Sequence, residues 1–177
     1  MKQGRLSLYT VDLKYVRNLA NHDKNGNVRS ISPQIEKSIR PFLGIIVICE
    51  NKQYCVPLSS PREKHKKMNN DVDFSKIFNP KGKLIGVLNF NNMIPVRTDV
   101  IKRIDLKIHP NDDQSIKARK NIMINQLSAC QRDQEAIARK ANKLYKMVNG
   151  GEASHDLKKR CCHFKELEKV LDRYKKS

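Results

Sequence analysis

The segment that decides the predicted fold lies near the middle of the chain and begins Phe42-Leu43-Gly44-Ile45-Ile46-Val47-Ile48. Apolar, β-branched runs of this length are typical of a strong β-strand. Glu50-Asn51-Lys52 follows as a short polar turn, and Gln53 to Leu58 has the pattern of a second strand. The sequence therefore predicts an antiparallel β-hairpin, opened by Pro41.

Short strands and helices are predicted on both sides of this hairpin. Leu6 to Val11 alternates like a half-buried strand, and Asp12 then caps a short helix. The Asn-, Ser- and Gly-rich stretch from His22 to Ser32 is predicted as a loop. Further strands are predicted at 84–90, 93–96 and 100–106.

The last third of the chain has a helical period. Apolar residues recur every three or four positions from Ile116 to Val148, which predicts core-facing helix. One helix of this length would extend about 50 Å, so we expect a break or kink before Gly150-Gly151 ends it. A final helix is predicted to place one apolar face on the core, formed by Leu157, Cys161, Phe164, Leu167, Leu171 and Tyr174.

The length and these patterns predict one α+β domain over residues 1–177. We expect a mixed α/β part at about 5–106 and a helical part at about 112–177. The 177 residues are enough to bury a hydrophobic core.

The charge of the chain predicts a nucleic-acid partner. Lysine and arginine number 36 against 18 acidic residues, which gives a net formal charge of +18. Such an excess usually serves a polyanionic partner, and nucleic acid fits best. No apolar run approaches the roughly 20 residues that a membrane-spanning helix requires, and the N-terminus lacks a secretory signal. We expect a cytoplasmic protein with no membrane partner.

The five cysteines do not form a pattern typical of disulfides or of zinc. Their number is odd, and Cys161 and Cys162 are adjacent to each other. The Cys161-Cys162-His163 run lacks the second pair of ligands that a zinc site needs. We expect buried apolar cysteines, no metal site and no cofactor.

The segment with the most chemical information is Ser59-Ser60-Pro61-Arg62-Glu63-Lys64-His65-Lys66-Lys67. Ser60 and Glu63 have the spacing of a capping box, and Pro61 suits a first helical position. A helix is therefore predicted to begin at Pro61. Its N-terminus could bind a phosphate, and an ordinary capped surface helix is the alternative.

Metal-independent RNA cleavage needs a proton acceptor, a proton donor and positive charge at the phosphate. In this segment Ser59 and Ser60 would donate hydrogen bonds that orient the phosphate, and Arg62 would act as an electrostatic clamp. Lys64 and His65 can both exchange protons, so the sequence does not decide between them.

At this segment the chain resembles the ToxN family of type III toxin–antitoxin systems, whose relatives are CptN and AbiQ. The family pattern P-L-[ST]-S-P-[KR]-x-x-H corresponds to residues 57–65. Other stretches resemble the family in order along nearly the whole chain. They are Leu13-Lys14-Tyr15-Val16, Arg40 to Ile45, Leu88-Asn89-Phe90 with Met93 to Val96, and Cys162-His163-Phe164.

The resemblance implies a compact, twisted antiparallel sheet with surrounding helices, similar to MazF/Kid-like toxins. It implies a metal-independent endoribonuclease that cleaves single-stranded A-rich RNA, cellular and phage mRNA included, to 2′,3′-cyclic phosphate and 5′-hydroxyl ends. It also implies inhibition by a repeat RNA pseudoknot antitoxin, which the toxin itself processes. Toxin and antitoxin RNA would form a closed RNA–protein hetero-oligomer that acts in phage abortive infection.

Carried over by position, the family's active-site hydroxyls correspond to Ser59 and Ser60. Arg62 stands where the family usually has lysine, which argues against a general-acid role because arginine does not readily release a proton. The family's early tyrosine corresponds to Tyr15, and a basic residue before the central strand corresponds to Arg40. Lys14, Lys66 and Lys67 complete the predicted RNA-binding residues.

Two other classes of protein compete with this hypothesis. The charge and the helical tail also suit a non-catalytic RNA-binding or ribosome-associated protein, in which Ser60 is only a helix cap. A DNA-binding regulator would need a helix-turn-helix or ribbon reader, and the sequence contains no convincing example of either.

Overall fold

A computed structural model of the chain describes residues 1–24, 26–28 and 42–176. The predicted hairpin is confirmed, with β2 at Phe42–Cys49 and β3 at Lys52–Ser59 paired antiparallel from Gly44↔Pro57 to Cys49↔Lys52. Glu50 and Asn51 form its two-residue turn, both with positive φ (46° and 66°). This geometry matches the right-handed twist of the strands that it joins.

Among the described residues, the hairpin lies at the centre of a seven-stranded sheet. The other strands are β1 (Leu8–Val11), β4 (Phe74–Phe78), β5 (Leu84–Asn89), β6 (Ile94–Val96) and β7 (Ile101–Arg103). The strands follow the order β4-β5-β3-β2-β1-β7, with β6 pairing to β3, and each of these pairings is antiparallel. A side chain at Gly44 would overlap the Val56 carbonyl oxygen, so the central pair requires glycine there.

Strand β3 changes partner along its length. Residues 53–55 pair with β6, whereas Leu58 and Ser59 pair with Leu88 and Val87 of β5. Pro57 lies between these two pairings, where its missing N–H is tolerated. The end of β3 is therefore fixed by β5, and this pairing positions Ser59 at the edge of the core.

The helices pack on the sheet and on one another. The Asp12 carboxylate accepts hydrogen bonds from the N–H groups of Lys14 and Tyr15, which confirms the predicted cap of the first helix. The described helices are α1 (Leu13–His22), α2 (Glu63–Lys67), α3 (Gln114–Arg132), α4 (Gln134–Gly150), α5 (His155–Arg160) and α6 (Phe164–Arg173). The break expected in the long helical stretch lies at Asp133.

One strand was missed, and two predictions about the helical part are wrong. Strand β4 was not predicted, because its five residues alternate too little to stand out. The final helix is divided into α5 and α6, since Cys162 N–H donates to the Asn91 carbonyl and Asn27 donates to the Cys161 carbonyl. Ile116 is 42% exposed rather than in the core, because the buried residues of α3 lie in its second half, from Gln126 to Cys130.

One hydrophobic core joins the sheet to the helices. All five cysteines are buried in it, as predicted, and burial raises the pKa of the Cys130 thiol to about 12. In the part of the chain that the structure describes, no helix has the length and apolar character to span a bilayer.

Glu168 on α6 links three elements within this core. Its Oε1 accepts hydrogen bonds from the hydroxyls of Tyr54 on β3 (2.7 Å) and Tyr145 on α4 (2.6 Å). Its Oε2 lies 3.7 Å from Lys52 Nζ and 3.6 Å from Lys165 Nζ. A carboxylate that is 5% exposed is therefore fully supplied with donors and cations.

Candidate functional site

The Ser59-Ser60 pair lies on the surface where β3 ends. Both serines are exposed, and the chain reaches α2 through Pro61 and Arg62. The prediction that a helix begins at Pro61 is wrong, because Arg62 is extended (φ −114°, ψ 166°) and α2 begins at Glu63. Ser60 is therefore not the N-cap, and its hydroxyl is not used in the cap of α2.

His65 takes over the capping role that was predicted for Ser60. Its Nδ1 accepts a hydrogen bond from the Arg62 N–H at 2.9 Å, and its own N–H donates to the Arg62 carbonyl at 2.9 Å. These two bonds form a capping box between Arg62, the N-cap residue of α2, and His65, the third residue of the helix. The conformation of Arg62 is thus fixed by His65.

The environment of His65 favours the neutral imidazole. The side chain is buried, with 6% exposure, and its ring lies 5.7 Å from that of Phe74. Burial and then the neighbouring charges of Lys64, Arg62 and Lys76 lower the pKa of His65 below its ordinary value of 6.5. Because Nδ1 accepts the Arg62 N–H, the proton of the neutral ring is on Nε2.

Positive side chains surround the two serines. Arg62, Lys64 and Lys67 are exposed, and Lys66 forms a 2.7 Å ion pair with Glu63. Helix α2 has only five residues, so these side chains, rather than a helix dipole, supply the positive potential. The Lys76 ammonium donates to the Lys66 carbonyl at 3.0 Å and fixes the end of α2.

The turn behind His65 is held by residues from the helical part of the chain. Arg160 donates to both carboxylate oxygens of Asp73, at 2.6 and 3.1 Å. Lys140 Nζ donates to the Asp71 and Phe74 carbonyls at 2.9 and 3.2 Å, and to the Ser75 hydroxyl at 2.7 Å. These contacts fix the Phe74 ring against His65.

Sequence reasoning missed these supporting residues, and no local signal could have found them. Arg160 and Lys140 are separated from Asp73 by more than sixty positions, and each is an ordinary helical cation in the sequence. Their function depends on the packing of α4 and α5 beside β4, which only the tertiary structure shows.

Tyr15 does not reach the surface that carries the serines. It is fully buried (0% exposed), its ring centroid lies 5.1 Å from that of Tyr174, and its hydroxyl donates to the Pro95 carbonyl. Burial raises its pKa far above the ordinary value of 10.0. In this conformation Tyr15 supports the packing of α1 on the sheet, and its hydroxyl lies in the core rather than at the surface that carries the serines.

The described residues among the remaining RNA-binding predictions lie on two helices. Lys14 is an exposed residue on α1. Lys66 and Lys67 lie on α2 beside the serines, and Arg40 lies outside the described residues. Among residues 1–24, 26–28 and 42–176, no three His, Cys, Asp or Glu side chains are placed to hold a metal ion.

A strongly basic α+β chain with this sheet and a helical final third belongs to a class of small bacterial proteins, the toxins of type III toxin–antitoxin systems. The chain is a member of the ToxN family: the sequence profile described as "Toxin ToxN, type III toxin-antitoxin system" matches residues 7–172. The predicted family and α+β fold are thereby confirmed.

Two relatives support this membership by sequence. Endoribonuclease ToxN of Bacillus thuringiensis subsp. kurstaki is 34% identical over 144 residues, which cover 79% of this chain and 71% of the relative. Endoribonuclease ToxN of Pectobacterium atrosepticum is 25% identical over 167 residues, which cover 92% of this chain and 90% of the relative.

Solved structures share the fold over almost the entire chain. One, described as showing selective toxin inhibition by a non-coding RNA pseudoknot in a bacterial type III toxin–antitoxin system, has a TM-score of 0.78 at 27% identity. It covers 98% of this chain and 100% of its own. AbiQ, described as a lactococcal anti-phage endoribonuclease, has a TM-score of 0.75 at 22% identity, covers 96% and 97%, and shows the fold alone.

Proposed function

We propose that this chain is a metal-independent endoribonuclease toxin that cleaves single-stranded A-rich RNA. The observation that carries the proposal is the exposed Ser59-Ser60 pair followed by Arg62, whose backbone His65 fixes, in a chain of the ToxN family. Two hydroxyl donors beside a guanidinium whose main chain is held in place form a site that suits a phosphodiester. The relatives of this chain are named endoribonucleases, which supports the same chemistry.

In the proposed reaction the 2′-hydroxyl oxygen of the RNA attacks the adjacent phosphorus, and the bond from phosphorus to the 5′-oxygen breaks. The products are a 2′,3′-cyclic phosphate and a 5′-hydroxyl. Ser59 and Ser60 orient the phosphate, and Arg62 stabilises the charge that develops on it. Lys64 is the proposed proton donor to the 5′-oxygen, because an ammonium releases a proton far more readily than a guanidinium.

His65 is assigned to positioning rather than to proton transfer. A general acid would have to be the imidazolium, whose Nδ1–H would face the Arg62 N–H instead of accepting it. The sequence left Lys64 and His65 as alternatives, and this hydrogen bond favours Lys64. Tyr15 is likewise proposed to act through the packing of α1 and not on the substrate.

The proposed partners are all RNA. The charge of +18 supports binding to cellular and phage mRNA as substrates and to a repeat RNA pseudoknot as inhibitor and precursor. The solved relative with a TM-score of 0.78 is described as a toxin inhibited by such a pseudoknot. We propose that this chain likewise forms a closed RNA–protein hetero-oligomer in the bacterial cytoplasm and acts in abortive infection.

The decisive experiment compares wild type with Ser60→Ala, after each protein has been freed of antitoxin RNA. Each protein is incubated with A-rich single-stranded RNA in the presence of EDTA, and the new RNA ends are analysed. We expect wild type to produce 5′-hydroxyl and 2′,3′-cyclic phosphate ends, and Ser60→Ala to be about 100-fold slower or worse. Ser115→Ala, the same change at an exposed position on α3, should cleave like wild type.

The outcomes separate the two main hypotheses. Intact RNA with every variant, together with tight RNA binding, would establish a non-catalytic RNA-binding protein. Cleavage that EDTA abolishes would exclude the metal-independent mechanism. Full activity in Ser60→Ala would show that the Ser60 hydroxyl takes no part in cleavage. Loss of the helix cap would not complicate this result, because Arg62 and not Ser60 is the N-cap of α2.

A further inference from the structure

A cleft of about 610 Å³ opens in the helical part of the chain, between the end of α4, the length of α5 and the start of α6. Its volume lies in the range of clefts that bind small ligands or single nucleotides. The residues that carry the argument are Val148, His155, Lys158, Lys159, His163 and Lys165. None of them belongs to β3 or α2, the elements that form the serine site.

The lining of the cleft is cationic. Three lysines from two different helices line it, and the carboxylate Glu166 also lies on its wall. Lys165 is paired with Glu168 at 3.6 Å, and Lys158 and Lys159 add two positive charges to the cleft. The Lys169 ammonium hydrogen-bonds Glu166 at 2.9 Å and lowers the pKa of this carboxyl. The negative charge of Glu166 is thus offset at the cleft, and a phosphate would meet an excess of positive charge.

The cleft also offers surfaces on which an unpaired base can stack. Two of the five histidines of the protein, His155 and His163, line it together with the apolar side chain of Val148. Imidazole rings beside ammonium groups are the combination that single-stranded nucleic acid uses, since bases stack while phosphates pair with cations. A polyanion without bases would contact only the lysines, so the two imidazole rings and Val148 favour a nucleic acid as the ligand.

Contacts described above connect the cleft to the serine site. Arg160 at the end of α5 pairs with Asp73, and Phe74 lies against His65. We propose that the cleft is a second RNA-binding site, which holds a nucleotide of single-stranded RNA outside the cleavage site. This proposal rests on the proposed function, and it assigns the cleft to RNA affinity rather than to the chemical step.

The test measures RNA binding in a Ser60→Ala background, so that the RNA stays intact. The probe is a fluorescein-labelled A-rich RNA of 20 nucleotides, and anisotropy gives its Kd. One variant replaces Lys158 and Lys159 with Gln, and the matched control replaces the exposed Lys81 and Lys83 of the β4–β5 turn with Gln. Both pairs lower the formal charge by two, so non-specific attraction changes equally.

We expect the cleft variant to raise Kd about tenfold and the control to raise it less than about twofold, because of the two substituted pairs only Lys158 and Lys159 would contact phosphates. Equal losses in the two variants would overturn the proposal. Thermal unfolding of both proteins checks the fold, and Lys159→Gln alone is the milder variant if the double change lowers Tm.

A second measurement does not depend on any change in the cleft. The Ser60→Ala protein is cross-linked to the same RNA carrying 4-thiouridine, and the attached peptides are identified. We expect cross-links at residues 155–165 as well as at 59–67. Cross-links at 59–67 alone would exclude RNA from the cleft. If wild type cleaves no RNA in the EDTA experiment and the cleft of Ser60→Ala still cross-links, the nuclease proposal fails and the second RNA-binding site stands.

Discussion

At the scale of single residues, the hydrogen bond from Arg62 N–H to His65 Nδ1 determines how the candidate site is arranged. It joins a clamp residue to a buried ring, and the ring is itself fixed by Phe74. We therefore propose that His65, the residue of the segment with the most familiar catalytic side chain, positions Arg62. The exposed residues around it are the ones that can contact RNA.

This assignment predicts different results for two substitutions of His65. Asparagine places an oxygen near the position of Nδ1 and can still accept the Arg62 N–H, whereas alanine cannot. We expect His65→Asn to keep most of the activity, and His65→Ala to lower kcat about 10- to 100-fold through misplacement of Arg62. Cleavage of one RNA by both variants under single-turnover conditions measures the difference. Equal loss in both would show that His65 transfers a proton.

The same hydrogen bond should make cleavage by the site sensitive to low pH. The pKa of His65 in the folded protein lies below its ordinary value of 6.5, so the unfolded chain binds this proton more readily. The contribution of His65 to stability is therefore complete above pH 6.5, and it is lost as the pH falls through the lower folded pKa. The cleavage rate of wild type should decline in that window, and the decline attributable to His65 should disappear in His65→Asn.

At the scale of the elements, Glu168 joins α6 and α4 to β3, the strand that ends in Ser59. Burial alone raises the pKa of the Glu168 carboxyl, but the hydrogen bonds from Tyr145 and Tyr54 and the charges of Lys165 and Lys52 outweigh it. The pKa therefore lies below its ordinary value of 4.5. The position of the strand that carries the serines depends on this carboxylate.

We expect Glu168→Gln to lower the free energy of unfolding at pH 7 by about 2 kcal/mol, because it removes a charge that is hydrogen-bonded and paired with cations. The folded pKa is depressed, so this contribution is present above pH 4.5 and is lost as the pH falls through the folded pKa. Urea unfolding at several pH values measures the gap between wild type and variant, which should narrow below pH 4.5.

Glu135→Gln is the matched control for this prediction. It removes the same charge from an exposed position on α4, where Arg139 is only a loose partner at 3.6 Å. A change within about 0.5 kcal/mol is expected at every pH. If the two variants were equally stable, or if the gap for Glu168→Gln stayed constant to pH 3, the buried carboxylate would not have the structural function assigned to it.

At the scale of the whole molecule, the charge of +18 determines how RNA affinity depends on salt. Contacts with about six phosphates of a single strand predict a slope near −4 in a plot of log K against log salt. We expect KM for RNA to rise steeply between low and physiological salt while kcat changes little, since the chemical step involves one phosphate. A slope near zero would show that the charge serves another purpose.

The sequence by itself determined the features that depend on neighbouring residues. The apolar run at 42–48 and the polar turn after it fixed the central hairpin, and the cap at Asp12 fixed the start of α1. The motif at 57–65 identified the family, and the charge predicted a polyanionic partner. Local propensity and short-range pattern suffice for such features, because the physical causes lie within a few residues.

Only the tertiary structure decided the features that depend on distant residues. The pattern at Ser60 favoured a helix cap formed by its hydroxyl. In the structure the His65 imidazole forms the cap hydrogen bond instead, because Phe74 holds that ring beside the Arg62 N–H. Tyr15 was expected at the site, and the carbonyl of Pro95 and the ring of Tyr174 place it in the core. Each outcome results from a contact between segments that meet only in the folded chain, and the free energy of packing there exceeds local preference.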